Sequence, residues 1–161
     1  MWLVTIWLGC GEVPAPTEPA PAPAAPVDPH AAHRGADHMA QMATMRDALR
    51  AALGEAYDAP VPGLDTADPA AGKALYETHC ASCHGLAGKG DGAAASGLNP
   101  PPSDLTDAFH ARFYSDAGRV RIIETGSPGT GMVGFTGVLT GPQILEIYGY
   151  VRSLRPVVSG G

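Results

Sequence analysis

The sequence has few cysteines, few basic residues and no long apolar stretch, and each of these shortages excludes a class of structure or function. It has only three cysteines among 161 residues, and two of them lie in one short motif, so use of that motif leaves no pair for a structural disulfide. It has 10 basic against 16 acidic residues and no basic run, which argues against nucleic-acid binding. Its apolar first stretch, 1–11, is shorter than the ~18–20 residues that span a bilayer. The length fits one domain plus a tail, and proline and glycine are abundant.

The two clustered cysteines belong to the sequence Cys80-Ala81-Ser82-Cys83-His84. Two cysteines with two residues between them, followed at once by histidine, form the attachment signature of a c-type haem. The thiols form thioethers with the two vinyl groups of the porphyrin, and the histidine binds iron from the proximal side. A zinc site commonly needs about four ligands, and a second CxxC is lacking. A thioredoxin-type CxxC would lie in a βαβ pattern, which is also lacking. We therefore predict one covalent haem c bound by Cys80, Cys83 and His84.

At this motif the chain resembles the class I monohaem c-type cytochromes, and the resemblance covers 64–156. It implies an all-α fold, a small bundle of four to five helices around one covalent haem, within a cytochrome c domain at 64–161. Gly72 and Tyr76 match the small and aromatic positions that meet the carboxy-terminal helix in the family. Tyr148 and Tyr150 are their expected partners on that helix.

Capping residues indicate where the helices of this domain begin. Asp68 followed by Pro69 is a favourable helix start directly before the cysteine motif. Thr140 and Gln143 form a capping box for the last helix. Two short helices are predicted between these: Asp107 to Phe113, capped by Thr106, and Asp116 to Glu124, ended by Gly126.

The resemblance also implies the distal iron ligand and a partner for the proximal one. Met132 lies in a glycine-rich loop, 126–135, where the family places its distal methionine, although Val133 replaces the usual proline. In the family, a carbonyl of the proline-rich segment accepts the Nδ1 proton of the haem histidine, as outer-shell partners of metal ligands do. We assign that role for His84 to a carbonyl near Pro101.

The amino terminus suggests a membrane anchor. The segment 1–10 is signal-like and ends in Leu8-Gly9-Cys10, which resembles a bacterial lipobox with Cys10 as the lipid attachment site. The linker 11–29 is rich in proline and alanine, a composition that favours extended polyproline II and acts as a semi-rigid tether. The alternative is an ordinary cysteine near a frayed chain end.

The extension 30–63 separates the tether from the haem domain. Apolar residues recur at helical spacing from Asp37 onward, and Gly54 can end the helix. Six side chains here are possible metal ligands: His30, His33, His38, Met39, Met42 and Met45. Thioethers and imidazoles suit copper, whereas methionine also fills gaps in apolar packing. We favour packing of this helix on the haem domain, and iron ligation by one of these groups is a third possibility.

These observations predict a carrier of single electrons on the periplasmic side of the cell envelope, anchored by lipid and exchanging electrons with redox partner proteins. Three alternatives stay open: the haem subunit of a multi-component oxidoreductase, a copper-handling protein that uses 30–45, and, without Met132 ligation, a five-coordinate haem sensor or peroxidatic enzyme. Three arginines, Arg112, Arg119 and Arg121, either pair with the haem propionates, form a docking patch for an acidic partner, or are solvated surface charges.

Overall fold

The computed structural model describes residues 35–155, which form six α-helices joined by loops and short 3-10 turns, with no strand in that range. The helices are α1 (Ala36–Leu53), α2 (Pro69–His79), α3 (Ala81–His84), α4 (Ala108–Phe113), α5 (Asp116–Thr125) and α6 (Gly141–Ser153). The 3-10 turns are Gly54–Tyr57, Leu64–Thr66 and Ala95–Gly97. The predicted all-α fold is confirmed, with five helices after the extension helix. None of the helices in this range is long and apolar enough to cross a membrane.

The crossing of α2 and α6 is the centre of the fold. A Cβ atom on Gly72 would collide with the backbone carbonyl of Glu146, so only glycine lets the two helix backbones approach this closely. Tyr76 is fully buried at the crossing, and its ring centroid lies 5.2 Å from that of Tyr150, as the resemblance implied. The buried cluster around this crossing consists of Leu64, Tyr76, Val120, Leu139, Ile144, Ile147, Tyr148 and Val151.

Side-chain caps begin the helices as expected, with one correction. The Asp68 carboxylate accepts the backbone N–H of Ala70 at 2.8 Å, and the Thr140–Gln143 capping box is present. The cap of α4 is Asp107, whose carboxylate accepts the backbone N–H of His110 at 2.9 Å, and the prediction of Thr106 was wrong. The hydroxyl of Thr106 instead donates a hydrogen bond to a carboxylate oxygen of Asp104 at 2.6 Å. It therefore bonds to a residue that precedes it in the chain and does not cap α4.

The extension helix α1 packs on the rest of the domain. Met42 and Leu49 are 5% and 4% exposed, and Tyr57 in the following 3-10 turn is 3% exposed. These residues bring α1 and the turn against α5. Burial of side chains of this size contributes about 1.5–3 kcal/mol each relative to leaving them in water. The contact explains how a helix outside the family resemblance stays attached to the other helices.

Candidate cofactor site

The cysteine motif forms the short helix α3, directly after α2. The backbone N–H of His84 donates to the carbonyl of Cys80 at 2.9 Å, so this segment makes a helical turn. Side chains three and four positions apart share one face of such a turn. Cys80, Cys83 and His84 accordingly line one cavity together, and the two cysteines are not joined by a disulfide.

That cavity has a volume of about 490 Å³ and a mostly apolar lining, within the range of ~300–1,000 Å³ that holds a cofactor or small ligand. Helices α1, α5 and α6 and the loops around Pro101 and Met132 supply its walls. Burial, together with a smaller effect of the neighbouring Cys83, raises the pKa of the Cys80 thiol to about 11. The thiol is therefore protonated at neutral pH before any attachment.

His84 is oriented by a backbone carbonyl. Its Nδ1 lies 3.2 Å from the carbonyl oxygen of Ser103, which can only accept, so Nδ1 carries the proton and Nε2 keeps its lone pair. Burial lowers the pKa of His84, while the Ser103 carbonyl opposes that shift and the Arg119 charge adds to it. The imidazole is therefore neutral and suited to bind a metal through Nε2. The carbonyl that we predicted near Pro101 is that of Ser103, two residues further along the chain, and Pro101 itself lines the cavity.

Met132 is half-buried and lines the same cavity as His84. Its loop is held by two hydrogen bonds: the carbonyl of Met132 accepts from the backbone N–H of Ser127 at 3.0 Å, and the N–H of Met132 donates to the side-chain hydroxyl of Thr130 at 3.1 Å. A bridge between Gly126 and Val133 closes the loop. These bonds restrain the backbone on both sides of Met132, a task that the family gives in part to the proline that Val133 replaces here.

Arg119, which is half-buried overall, places a positive charge at the cavity. Its guanidinium lies 4.9 Å from the ring of Tyr114 and donates to the carbonyl of His110. Its Nε is buried with no hydrogen-bond partner among residues 35–155. Burial lowers the pKa of Arg119 to about 10, so it remains charged at neutral pH. A buried cation with an unused donor fits a cofactor that carries carboxylates, as haem does.

The three arginines that the sequence grouped together have separate surroundings. Arg121 is partly exposed and pairs with Glu124 at 3.2 Å. Arg112 is exposed and borders a surface hollow together with Arg46 and the half-exposed Phe109. Only Arg119 of the three lines the large cavity, because the α5 face that carries it turns inward next to the buried Val120.

Helix α1 forms part of the cavity wall. His38, Met42 and Met45 line the cavity, and Met42 is buried. No group of three or more His, Cys, Asp or Glu side chains that could hold a metal occurs within the part of the chain described. His30, His33 and the anchor and tether predictions at 1–10, Cys10 and 11–29 lie outside the described residues.

Taken together, the lining residues fit a haem c. Two thiols at CxxCH spacing, a neutral imidazole, a thioether, apolar walls and a buried arginine match the thioether linkages, iron ligands, ring and propionates of that group. The sequence did not identify Ser103, did not single out Arg119 among the three arginines, and did not say which α1 residues would line the cavity, since each depends on tertiary proximity that spacing does not encode.

Comparison with known proteins supports this fit. A family model described as Cytochrome c matches residues 69–155, more than half of the 161-residue chain. Among solved structures, the chain is similar to part of the reducing HAO-like protein complex Kustc0457/Kustc0458 of Kuenenia stuttgartiensis, at 26% identity and a TM-score of 0.47. That match covers 61% of this chain and 46% of the other, so this chain spans less than half of its length. A search of curated protein sequences found no match.

Proposed function

The chain belongs to the cytochrome c family, and on that premise we propose that it carries single electrons between redox partner proteins on the periplasmic side of the cell envelope. The family implies a covalent haem c, and we assign one such group to this chain. In the proposed site Cys80 and Cys83 form the thioethers, His84 is the proximal ligand and Met132 the distal ligand. A haem held in this way supplies one-electron Fe(III)/Fe(II) cycling.

The observation that carries the proposal is that all four of these side chains line one apolar cavity. The Ser103 carbonyl holds the imidazole so that Nε2 is available. The Met132 loop is restrained by bonds to Ser127 and Thr130. Apolar side chains from α1, α5 and α6 limit water around the metal. These features favour a high reduction potential, since methionine ligation and burial both stabilise the reduced iron.

An electron carrier fits this ligand set better than an enzyme does. If His84 and Met132 both bound the iron, the residues of this chain would leave it no open position for a substrate. The chain would then exchange electrons through contact with its partners. The alternative of a five-coordinate sensor or peroxidatic enzyme requires Met132 to stay away from the metal, although it lines the same cavity as His84.

The proposed location depends on the amino terminus. Lipid on Cys10 would anchor the chain to a membrane, and a Pro/Ala-rich tether at 11–29 would hold the haem domain away from the membrane surface. Covalent haem attachment and the lipobox-like sequence are both typical of exported bacterial proteins, so the two features support the same compartment.

Haem attachment is tested by a pyridine haemochrome assay on the exported full-length protein. We expect one haem per chain that resists acid-acetone extraction, and intact mass should show the added porphyrin. Cys80→Ala and Cys83→Ala should each leave at most one thioether, which shifts the haemochrome band. A haem that acid-acetone extracts from the wild-type protein, or a variant spectrum identical to the wild type, would contradict the assignment.

A further inference from the structure

A hollow between α1 and α4 lies on the outer side of the cavity wall. Its lining consists of Arg46 from α1 and of Ala108, Phe109, Arg112 and Phe113 from α4. These five residues are separate from those that line the cavity assigned to the haem. Helix α1 precedes residues 69–155, which the family model matches. The hollow is therefore a feature that this chain adds to the family fold.

Aromatic contacts connect the hollow to the cavity. Phe109 is 50% exposed, and its ring lies edge-on to that of His110 with 5.6 Å between the centroids. Phe113 meets the ring of Tyr114 edge-on in the same way, at 5.2 Å. His110 and Tyr114 both line the cavity. A protein that touched Phe109 would thus be separated from the haem cavity by two side chains in contact. Since electron transfer slows steeply with distance, this position suits the entry or exit of an electron.

The hollow also presents an unpaired positive charge on a chain whose net charge is −6. Arg112 is exposed and forms no ion pair among residues 35–155. Four other cations of this range each pair with a carboxylate: Arg50, Lys73, Arg121 and Arg152. The charge of Arg112 is therefore available to an anionic group from outside the chain.

Arg46 is held on the opposite side of the hollow. Its guanidinium lies 4.8 Å from the centroid of the Phe113 ring, a cation–π contact. Its Nε lies 3.8 Å from a carboxylate oxygen of Asp47, whose side chain is 74% exposed. An ion pair this open to water is weak, so Arg46 can bind a second carboxylate. Arginine and exposed aromatic rings are the residues that protein interfaces favour.

We propose that the hollow is the docking site for a redox partner protein whose surface presents carboxylates around an apolar centre. The inference rests on the proposed electron-transfer function and deepens it. Partner carboxylates pair with Arg46 and Arg112, and an apolar side chain packs on Phe109. Such charge complementarity acts mainly on the association rate and weakens as salt rises. Of the three arginines that the sequence grouped as a docking patch, only Arg112 belongs to this site.

The test is stopped-flow reduction of the oxidised, haem-loaded full-length protein by flavodoxin hydroquinone, an acidic protein that serves as the probe. One electron leaves the anionic flavin hydroquinone, which becomes the neutral semiquinone, and reduces Fe(III) to Fe(II). Arg46→Gln/Arg112→Gln should lower the second-order rate constant at least threefold at low ionic strength and flatten its salt dependence. Phe109→Ser should lower the rate constant without flattening the salt dependence, because it removes a contact and no charge.

Lys89→Gln is the matched control for Arg112→Gln alone. Lys89 is an exposed cation outside the hollow and likewise has no ion pair within residues 35–155. Its variant should react within twofold of the wild-type rate. Hexaammineruthenium(II), a cationic one-electron donor, should reduce the double arginine variant at least as fast as the wild type. Should Arg46→Gln disturb the fold, as judged from the haem spectrum, the exposed Arg112→Gln decides the question.

Several outcomes overturn the docking site. Equal losses in Arg112→Gln and Lys89→Gln would show that net charge alone sets the rate. An unchanged rate in the double variant, with wild type that flavodoxin reduces readily, would place docking elsewhere and leave the electron-transfer proposal intact. Wild-type protein that neither donor reduces would contradict the electron-transfer function itself. Wild-type dimers in sedimentation velocity that Arg112→Gln or Phe109→Ser dissociates would show that a second copy of this chain occupies the hollow.

Discussion

Met132 determines whether the iron has a sulfur ligand. Met132→Ala should abolish the weak near-infrared sulfur-to-iron charge-transfer band of the oxidised protein and lower the reduction potential, because methionine stabilises the reduced iron. Near-infrared absorption and a redox titration measure both effects. Met42→Ala and Met45→Ala are the matched controls, since both side chains also line the cavity. A band that survives in Met132→Ala and disappears in one of these controls would move the ligand to α1.

Arg119 is less exposed than Arg121, two residues further along the chain. We therefore expect the two arginines to affect the reduction potential differently. Arg119→Met should lower the reduction potential, because loss of a nearby buried positive charge destabilises the iron state with the extra electron. A charge about 10 Å away at an effective dielectric of about 20 changes the potential by tens of mV.

Arg121→Met is the control for this experiment. Arg121 is partly exposed and paired with Glu124, so solvent and salt screen its charge. Spectroelectrochemical titration of both variants should show a clear shift for Arg119→Met alone. Equal potentials in the two variants, with intact haem spectra, would remove Arg119 from the haem environment.

At the scale of elements, Gly72 controls the crossing of α2 and α6. An alanine here gains about 1 kcal/mol in helix propensity, but its Cβ would collide with the carbonyl of Glu146. The backbone of α6 cannot move aside as a flexible side chain can. Overpacking of this kind typically lowers the free energy of unfolding by about 1–3 kcal/mol or more. We expect the collision to outweigh the gain, so Gly72→Ala should lower the denaturant midpoint of the haem-loaded protein.

Gly141→Ala tests whether this effect belongs to the crossing. Gly141 begins α6, and a Cβ there would meet no atom within 4 Å. This variant should unfold at or slightly above the wild-type midpoint in the same circular dichroism titration. Similar losses in both variants would attribute the cost to glycine replacement in general.

Helix positions and the CxxCH segment could be predicted from sequence because their signals are local. Proline at the first turn, the Thr140–Gln143 box and the glycine after α5 each act within a few residues. The partner of His84 could not be predicted at residue level, since any carbonyl of the segment 100–103 satisfies the same chemistry and only the folded loop selects Ser103. The cap of α4 was mistaken because Asp107 and Thr106 are both good caps, and Asp104 engages the hydroxyl of Thr106.

The packing of α1 on the haem domain likewise depends on the tertiary structure. The pattern of Met42 and Leu49 predicts an apolar helix face and favours its packing on the haem domain, but it does not say which elements of that domain cover it. In the folded chain, that face of α1 packs against α5 and lines the cavity. The extension therefore becomes part of the wall around the proposed haem. His38 and His110 meet for the same reason, and spacing of 72 residues carries no signal for their contact.

At the scale of the whole molecule, the proposed location depends on the net charge of −6 and on the amino-terminal segment. An acidic protein is not drawn electrostatically to an anionic membrane surface, so stable attachment requires a hydrophobic anchor. One acyl chain binds only marginally, and the diacylglyceryl group of bacterial lipoproteins supplies the second chain. We predict that Cys10 carries this group and that the tether at 11–29 separates the haem domain from the bilayer.

Cell fractionation tests this prediction. The wild-type protein should sediment with membranes and be released by detergent but not by high salt, whereas Cys10→Ser should be soluble or remain unprocessed. Cys10→Ser should also keep the haem spectrum of the wild type, because Cys80 and Cys83 alone attach the cofactor in the proposed site. Release of the wild-type protein by salt would indicate attachment through charged groups or a partner. A soluble wild-type protein whose mass shows an unmodified Cys10 would contradict the anchor and leave the electron-transfer proposal intact, since that proposal depends on the cavity and not on the amino terminus.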